Sequence, residues 1–345
     1  MIRICSSLAG NGYQVLLVGR KMPRSIPLTV KPFHQKRLPC LFNKGKLFYI
    51  EYNIRLFFYL LFSKADVIGS IDLDTILPGY LVSRLRGITR VYDAHELFCE
   101  MKEIISRPAI YKWWKWVEKK TVPFYKHGYT VSQPIAAELK DLYGVQYETI
   151  WNIGPLLPLT LPEKKDIYIL YQGAVNEGRC FETLIPAMQE VNAPLIICGD
   201  GNFMPQARKL VEKYGLEQKV LFKGMLPPEE LKNYTLNAYI GINLNEDAGK
   251  SIYYSLSNRF FDYLQAGVPQ LCVDFPAYHE LNQEFKVALL INDLSSKNIS
   301  FQLNFLLSKI VLYKELQHNC LQARQSLNWQ QEEKKLINFY NKVLA

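Results

Sequence analysis

"SLSNRFFDYLQAGVP" (residues 255–269) is the stretch that decides the fold. Its apolar side chains recur at helical spacing, Ser257 is a residue type that caps a helix start, and Gly267 is one that ends a helix. The run that follows, "PQLCVD" (269–274), has the composition of a short buried strand. The pattern predicts a loop, a helix of about two to three turns and a strand. It raises the question of what ligand lies at the N-terminus of that helix.

The same alternation of apolar strands and helical patterns runs through both halves of the chain. Near-continuous apolar strands separated by helices are typical of parallel sheets that are covered on both faces. We therefore predict an α/β fold of two doubly wound parallel-sheet domains. The predicted strands are residues 13–19, 66–71, 88–93, 127–132 and 147–152 in the first half, and residues 167–173, 193–201, 219–224, 238–244 and 269–274 in the second.

A proline-containing stretch without periodicity, "IGPLLPLTLPEKKD" (153–166), is the predicted linker. It leads us to place a first domain at residues 1–155, a second at 156–325 and a closing helix at 326–345. Two α/β domains joined by a linker predict a cleft between them. We expect ligands in that cleft, because α/β folds bind ligands at the carboxyl ends of their strands.

Composition limits the class of protein. Hydrophobic residues make up 49% of the 345 residues, which is enough for two buried cores. The seven cysteines include no CxxC pair and stand mostly in apolar runs, so we expect a reduced, cytoplasmic protein without a zinc site. The opening "MIRICSSLAGNGYQ" is not typical of a signal peptide, because Arg3 interrupts a short apolar run.

Charge is distributed unevenly along the chain. Residues 1–150 carry 22 Lys and Arg against 12 Asp and Glu, a net charge of +10, whereas the remainder carries −1. This asymmetry indicates either an anionic partner for the first half or a solvated basic surface. No nucleic-acid-binding motif is evident, so the favoured partner is an anionic membrane surface. Two aromatic stretches flanked by lysines, 46–62 and 111–120, are candidates for interfacial helices or for helices packed on the sheet.

Several features of the second half indicate an anion site. A helix that begins at Ser257 offers backbone N–H groups and the positive end of a dipole, and Arg259 adds a charge in its first turn. Arg179 stands near the start of another helix. Asp262 would be repelled by phosphate, so its predicted partner is a ribose. Glycines that let the backbone approach a ligand end three of the predicted strands: Gly173, Gly199 with Gly201, and Gly224. Each feature alone also fits an ordinary turn or helix cap.

Together these stretches resemble the retaining GT-B glycosyltransferases of group 1, family four. The second half resembles the donor half of that family in "QGAVNEGRCFETLIPA", "CGDGNF", "VLFKGMLPPEEL" and "SLSNRFFDYLQAGVPQLCVD". The first half resembles the family in "DVIGSIDLDTILPGYL", "VYDAHELF" and "YTVSQPIAAEL", and "NWQQEEKKLINFYNKV" is similar to its C-terminal helix, which crosses back onto the first domain. The resemblance implies two Rossmann-like domains and transfer of a sugar from a nucleotide-diphosphate sugar to an acceptor.

The resemblance also implies roles for individual residues. Arg179 matches the diphosphate-binding Lys of the family, and Asp262 matches the second acid of its E-x7-E signature, which holds the ribose. Main-chain groups of Ser257, Asn258 and Arg259 match the loop that cradles the diphosphate.

Two positions differ from the family pattern, and a third residue is a candidate to compensate for one of these differences. Ala174 stands where the family usually has Arg, and we expect Arg259 to supply the missing charge. Tyr254 stands where the first acid of the signature contacts the transferred sugar, so the identity of that sugar is left open. Glu246 is a weak candidate to substitute for this acid.

In "VYDAHELF", three ionisable residues follow a strand of the first half: Asp93, His95 and Glu96. A histidine in this region of the family lies near the transferred sugar, so we expect His95 to bind substrate or to orient the acceptor. The alternative is a histidine satisfied by local carboxylates in a turn. For Asp72 and Asp74, which follow another strand, helix capping is the expected role.

The resulting hypothesis is a retaining, hexosyl-type glycosyltransferase of cell-surface polysaccharide or glycolipid synthesis, cytoplasmic and peripheral on the inner membrane face. Its expected partners are a nucleotide-diphosphate sugar, a sugar or lipid-linked sugar acceptor and an anionic membrane surface, with no nucleic acid. We expect no cofactor and no metal, because arginines and a helix N-terminus can neutralise a diphosphate. A UDP-sugar epimerase of the same architecture and a non-catalytic binding subunit are the alternatives.

The start of the chain suggests an incomplete first sheet. Met1 precedes what resembles a helix, "IRICSSLAGNG", whereas the family begins with a strand and a glycine-bearing loop before that helix. The missing strand would be the central one of a 3-2-1-4-5 order. We therefore expect a gap in the first sheet, and a shortened product or a start codon placed too far downstream.

Overall fold

The computed structural model describes residues 1–23, 25–161 and 167–345. These residues form two compact units. The first unit contains Met1–Trp151 together with Gln331–Ala345, and the second contains Asn152–Gln330. Each unit has parallel sheets flanked by helices, which confirms the predicted α/β class.

The described residues of the first unit contain six strands in two separate parallel sheets. Its strands are β1 (Leu16–Lys21), β2 (His34–Pro39), β3 (Val67–Ile71), β4 (Thr89–Ala94), β5 (His127–Thr130) and β6 (Glu148–Thr149). β1 pairs with β2, and the other four form a sheet in the order β3-β4-β5-β6. Within the described residues no ladder joins the two sheets, in agreement with the gap expected from the sequence.

Six helices and most of a seventh accompany these strands. They are α1 (Ile2–Gly10), α2 (Gly45–Phe62), α3 (Ile76–Arg86), α4 (Lys102–Ile105), α5 (Pro108–Thr121), α6 (Gln133–Tyr143) and the last helix of the chain, α15 (Trp329–Leu344). Short 3₁₀ turns cover Leu73–Thr75, Phe98–Glu100 and Val122–Phe124.

The strand β2 was missed by the sequence analysis. Its sequence, "HQKRLP", is polar, and only Leu38 of its six residues is buried. A strand at the edge of a two-stranded ladder needs no apolar face, so the hydrophobic pattern gives no signal. The strand predicted at 13–19 lies slightly later than expected, at β1.

The second unit contains one six-stranded parallel sheet. Its strands are β7 (Ile169–Gln172), β8 (Leu195–Cys198), β9 (Val220–Gly224), β10 (Ile240–Asn243), β11 (Gln270–Val273) and β12 (Ala288–Ile291). Every residue of β7, β8, β10 and β11 is buried, as the doubly wound prediction requires. β12, "ALLI", is a further strand that the sequence analysis missed.

In the described part of the second unit, eight helices accompany this sheet. They are α7 (Phe181–Ala187), α8 (Met204–Lys213), α9 (Pro228–Asn237), α10 (Lys250–Tyr254), α11 (Asn258–Gln265), α12 (Pro276–Phe285), α13 (Ser296–Ser308) and α14 (Ile310–Ser326). The helix predicted from the opening stretch is α11.

The strand order β12-β11-β10-β7-β8-β9 positions a binding crevice. The chain leaves β7 toward β8 and β9 on one side, then returns to add β10, β11 and β12 on the other. Loops after β7 and β10 therefore diverge at the switch point, where open α/β sheets bind ligands. α11 lies between β10 and β11 in the chain, so its N-terminus belongs to the same end of the sheet.

The predicted linker, 153–166, is described only in part. Residues 153–161 form neither helix nor strand, and residues 162–166 lie outside the described part of the chain. Among the helices of the described residues, none is long and apolar enough to cross a membrane.

Candidate functional site

Ser257 holds the N-cap position of α11, but its side chain does not cap the helix. The Ser257 hydroxyl donates instead to Oδ1 of Asn243, at 2.8 Å, and its backbone N–H donates to the Tyr278 hydroxyl, at 2.9 Å. The capping role expected from the sequence is thus wrong. By contrast, Ser132 and Ser295 accept a backbone N–H at the starts of their helices. Ser257 is fixed in place without using its hydroxyl on the first turn of α11.

The guanidinium of Arg259 is buried beneath the start of α11. Its Nε donates to Oδ1 of Asn243 at 3.0 Å and its Nη2 donates to Oδ1 of Asn245 at 3.1 Å. The guanidinium also lies over the ring of Tyr171, 4.7 Å from its centroid. Only 7% of Arg259 is exposed, and its Nη1 has no hydrogen-bond partner among the described residues. A buried guanidinium whose Nη1 donates no hydrogen bond can bind a ligand that supplies an acceptor oxygen.

Arg179 reaches the same amide from the loop after β7. Its Nη1 donates to Oδ1 of Asn245, the oxygen that also accepts from Arg259. The loop is fixed by a backbone hydrogen bond of 2.9 Å from Glu246 to the carbonyl of Gly178. The folded chain therefore brings together two arginines that are 80 residues apart in the sequence.

The two guanidinium groups lack a neutralising partner. In the described ranges, neither Arg179 nor Arg259 has a carboxylate within ion-pair distance. Burial, together with the charge of Arg259, lowers the pKa of Arg179 below its ordinary value. Two like charges held near each other by neutral amides create a positive site, which favours a polyvalent anion.

Asp262 lies on α11 about one turn beyond the arginine. Its Oδ2 accepts a hydrogen bond of 2.9 Å from Nε2 of Gln172, the last residue of β7. Oε1 of Gln172 accepts in turn from the Thr235 hydroxyl at 2.7 Å. Gln172 and Thr235 are buried, whereas Asp262 is exposed, so the pair orients a carboxylate that faces solvent.

Gly199 and Gly201 are required by the protein's own backbone. A Cβ at Gly199 would lie 1.8 Å from the carbonyl oxygen of Gly173, and a Cβ at Gly201 would lie 2.3 Å from that of Val175. Gly173 and Gly224 have open space around the same position. The glycines at these strand ends thus serve close packing of neighbouring loops as well as any ligand.

His95 of the first unit lies among three polar side chains. Its backbone N–H donates to Oδ1 of Asp72 at 2.8 Å. Its Nε2 lies 3.1 Å from Oδ1 of Asp93, within ion-pair distance but without hydrogen-bond alignment. The Tyr129 hydroxyl donates to the other oxygen of Asp93 at 3.0 Å. Asp72 has a left-handed backbone, with φ of 52°, so this arrangement includes a strained residue.

The charges around His95 shift the pKa values of the group. Burial opposes the imidazolium form, but the carboxylates of Asp93 and Asp72 outweigh it and raise the pKa of His95. Burial raises the pKa of Asp72 to about 7 and that of Asp74 to about 6. Neither aspartate caps the 3₁₀ turn beside it: Asp72 accepts from His95 instead, and no side chain caps that turn. The capping prediction is wrong for Asp72.

The structure gathers four of the predicted residues at one end of the second sheet: Arg179, Ser257, Arg259 and Asp262. Asn258 is exposed in the first turn of α11, and Tyr254 ends the short helix α10. The sequence analysis missed Asn243, Asn245 and Gln172, although two asparagines at the end of an apolar strand are an available signal. Among the described residues, no group of three His, Cys, Asp or Glu side chains is placed to hold a metal.

Two family models match the chain. Glycosyltransferase Family 4 matches residues 1–154, and Glycosyl transferases group 1 matches residues 159–326. No curated protein sequence is a significant match.

Solved structures share the fold at low identity. Sucrose-phosphate synthase from Thermosynechococcus elongatus is 17% identical with a TM-score of 0.83, covering 99% of this chain and 92% of that one. WaaG, a glycosyltransferase involved in lipopolysaccharide biosynthesis, is 16% identical with a TM-score of 0.75, covering 97% of this chain and 93% of that one. HepE from Anabaena, in complex with UDP and glucose, is 12% identical with a TM-score of 0.74, covering 99% and 95%.

Proposed function

We propose a binding site for the nucleotide-sugar donor, because this chain belongs to the glycosyltransferases. Its first half matches Glycosyltransferase Family 4, and its second half matches Glycosyl transferases group 1. The family confirms the resemblance read from the motifs, and the enzyme transfers a sugar from a nucleotide sugar to an acceptor. We propose that the diphosphate of the donor binds Arg179 and Arg259 at the N-terminus of α11.

One observation carries this assignment. The buried guanidinium of Arg259 and the partly buried guanidinium of Arg179 share the amide oxygen of Asn245 and have no carboxylate partner in the described chain. A buried charge without a counter-charge is costly unless a ligand supplies one. A diphosphate supplies two to three negative charges and several acceptor oxygens, and the unused Nη1 of Arg259 offers one donor for them.

The proposed chemistry is sugar transfer with retention, of the hexosyl type. The bond between the anomeric carbon and the β-phosphate oxygen breaks, and negative charge develops on that oxygen. The acceptor hydroxyl oxygen bonds to the anomeric carbon on the same face, and its proton leaves with the departing nucleoside diphosphate. Arg179 and Arg259 stabilise this charge as it grows, which lowers the barrier rather than only tightening the substrate complex. Backbone N–H groups of Ser257, Asn258 and Arg259 would add to this stabilisation at the helix start.

Asp262 is proposed to bind the ribose. A ribose offers two vicinal hydroxyl donors, and a carboxylate accepts both. The hydrogen bond from Gln172 fixes the orientation of the carboxylate before the donor arrives. The glycines Gly173, Gly199, Gly201 and Gly224 keep the adjoining loops free of side chains.

His95 is proposed to act on the acceptor side by binding a substrate hydroxyl. The neighbouring Asp93 and Asp72 raise the pKa of His95, which favours the imidazolium form as a hydrogen-bond donor. Because Asp93 is itself held by Tyr129, the imidazole is positioned by its own unit.

The acceptor is proposed to be a sugar or lipid-linked sugar of cell-surface polysaccharide or glycolipid synthesis, reached at the cytoplasmic face of an anionic membrane. The net charge of +10 on residues 1–150 supports such a contact. The similarity to WaaG, which is involved in lipopolysaccharide biosynthesis, supports the acceptor class.

The test is a screen of the purified protein against nucleotide-diphosphate sugars. We expect one donor to raise the thermal midpoint and to release free nucleoside diphosphate when the acceptor is present. Arg179→Ala and Arg259→Ala should each reduce both effects strongly. Donor binding that is unaffected by either substitution would contradict the assigned site, and release of free epimerised sugar without an acceptor would contradict transfer.

A further inference from the structure

The outer face of α2 is an exposed apolar stripe. Its members recur every three or four residues, which places them on one side of the helix. They are Leu47, Ile50, Ile54, Phe58 and Phe62, with exposed fractions of 55%, 56%, 52%, 53% and 82%. Five large apolar side chains that are adjacent on one helix face and exposed to solvent form the type of patch that marks an interaction surface.

The opposite face of α2 already holds the helix in place. Tyr52 and Leu56 are buried and pack with Leu38 of β2. Phe48 stacks on Tyr52 with ring centroids 5.8 Å apart. The outer-face side chains are not members of this buried cluster, so the cluster does not account for their apolar character.

An apolar groove continues this surface at the end of α2. It has a volume of about 550 Å³, and its lining is mostly apolar: Ile54, Phe58, Tyr59 and Phe62 on the helix and Leu38 and Pro39 on β2, with Arg55 and Ser63 as its polar members. The groove is open to the same side as the outer face, because three residues belong to both.

The charges along α2 fit an anionic partner. Residues 44–64 contain four basic side chains, Lys44, Lys46, Arg55 and Lys64, and one acidic side chain, Glu51. The Glu51 carboxylate is already engaged, because it accepts from the backbone N–H groups of Leu41 and Phe42 and pairs with Arg55 at 2.8 Å. The lysines stand at both ends of the helix, so cations flank an apolar stripe.

We propose that the outer face of α2 docks on an anionic lipid bilayer, with the helix parallel to the surface. The inference rests on the proposed membrane contact of the first unit and names the surface that makes it. A helix of 18 residues is about 27 Å long and lies in the interface with its apolar side chains among the acyl chains. Flanking lysines reach the headgroups, and the groove beside Phe58 and Phe62 accepts an acyl chain.

The test is co-sedimentation of the full chain with vesicles of phosphatidylglycerol and phosphatidylcholine, compared with phosphatidylcholine alone. The stripe variant carries Ile54→Ser, Phe58→Ser and Phe62→Ser. The matched control carries Met225→Ser, Phe301→Ser and Val311→Ser, which remove three large exposed apolar side chains from the second unit, with exposed fractions of 76%, 62% and 79%. A charge variant carries Lys44→Gln, Lys46→Gln and Lys64→Gln.

We expect the stripe variant to lose at least about tenfold in affinity for anionic vesicles, because three large side chains no longer leave water. The charge variant should bind more weakly with a reduced response to salt, while the control should bind as the parent does. Equal binding by stripe variant and parent would overturn the proposal. So would a parent dimer that the stripe variant converts to a monomer, because the stripe would then be a protein interface.

Nucleotide binding by the same variants separates this inference from the donor site. The stripe variant should bind a nucleoside diphosphate as the parent does, since the proposed donor residues belong to the second unit. If the protein binds vesicles but has no transferase activity, the docking surface is supported and the proposed function is contradicted. If circular dichroism shows that the stripe variant is unfolded, Phe62→Ser alone replaces it, because Phe62 is the most exposed member of the stripe. This single variant should also bind anionic vesicles more weakly than the parent.

Discussion

Arg179 and Arg259 donate to one acceptor, Oδ1 of Asn245, although Arg179 comes from the loop after β7 and Arg259 from the first turn of α11. A neutral amide positions both guanidinium groups without cancelling their charge. An aspartate at the same position would offer similar geometry and fill the site with its own negative charge. The choice of amide therefore favours binding of an external anion.

Replacing either arginine should reduce turnover strongly. We expect Arg179→Ala and Arg259→Ala each to lower kcat by about 10²-fold or more, the scale for removing one group that stabilises developing charge. Steady-state release of nucleoside diphosphate measures the effect. Arg208→Ala is the control, because Arg208 is exposed and lies over Phe222, outside the proposed site. Near-normal turnover in both single variants would contradict the assignment.

Asn245→Asp should separate nucleotide binding from stability. The new carboxylate would pair with both guanidinium groups, so affinity for a nucleoside diphosphate should fall by about tenfold or more, equivalent to about 1.4 kcal/mol. The thermal midpoint of the unliganded protein should stay equal or rise. Calorimetry and thermal unfolding test the two effects. A variant that loses stability and affinity together would indicate a purely structural asparagine.

Asp262→Asn should weaken the binding of nucleosides but not of the diphosphate alone. A hydrogen bond to a charged acceptor contributes about 1.5–3 kcal/mol, so affinity for the nucleoside diphosphate should fall by about ten- to a hundredfold. Inorganic pyrophosphate, which has no ribose, should bind the variant and the parent equally. An unchanged nucleotide affinity would reduce Asp262 to a surface residue of α11.

The stability of the first unit should depend on pH through His95. Because its folded-state pKa is raised above the ordinary 6.5, the contribution is fully present below about pH 6.5 and is lost as pH rises through the raised value. We expect the thermal midpoint to differ most between the parent and His95→Gln below pH 6.5, and the difference to shrink above it. His318→Gln, at an exposed position, is the control. A pH-independent difference would mean that folding does not raise the pKa of His95.

Gly199→Ala should destabilise the second unit more than Gly224→Ala. Both glycines have positive φ, 151° and 68°, so both substitutions strain the backbone by about 1 kcal/mol or more. Only at Gly199 would the added Cβ also collide with a backbone oxygen, at 1.8 Å, which should bring the loss to about 3 kcal/mol or more. Denaturant unfolding of both variants measures the difference, and equal losses would show that the loops separate easily.

The pattern of apolar residues in the sequence predicted the strands whose residues are all buried. It did not predict two strands at sheet edges, β2 and β12. β7, β8, β10 and β11 stand in the centre of a covered sheet, where both faces require apolar side chains and leave a continuous signal. β2 belongs to a two-stranded ladder in which only Leu38 is buried, so its sequence records no burial. β12, at the sheet edge, is apolar but only four residues long, and short apolar runs do not identify their secondary structure.

The sequence by itself determined the α/β class, the start and end of α11, and the residue types of the proposed donor site, because local spacing and chain order encode these features. Tertiary structure alone decided what those residues contact. It turned the Ser257 hydroxyl away from the helix toward Asn243, and it brought Arg179 and Arg259 to one amide oxygen. It also left one face of α2 on solvent while the other packs on β2. The physical reason is that such contacts join residues distant in sequence, and the parallel strand order, not the local pattern, determines which loops meet.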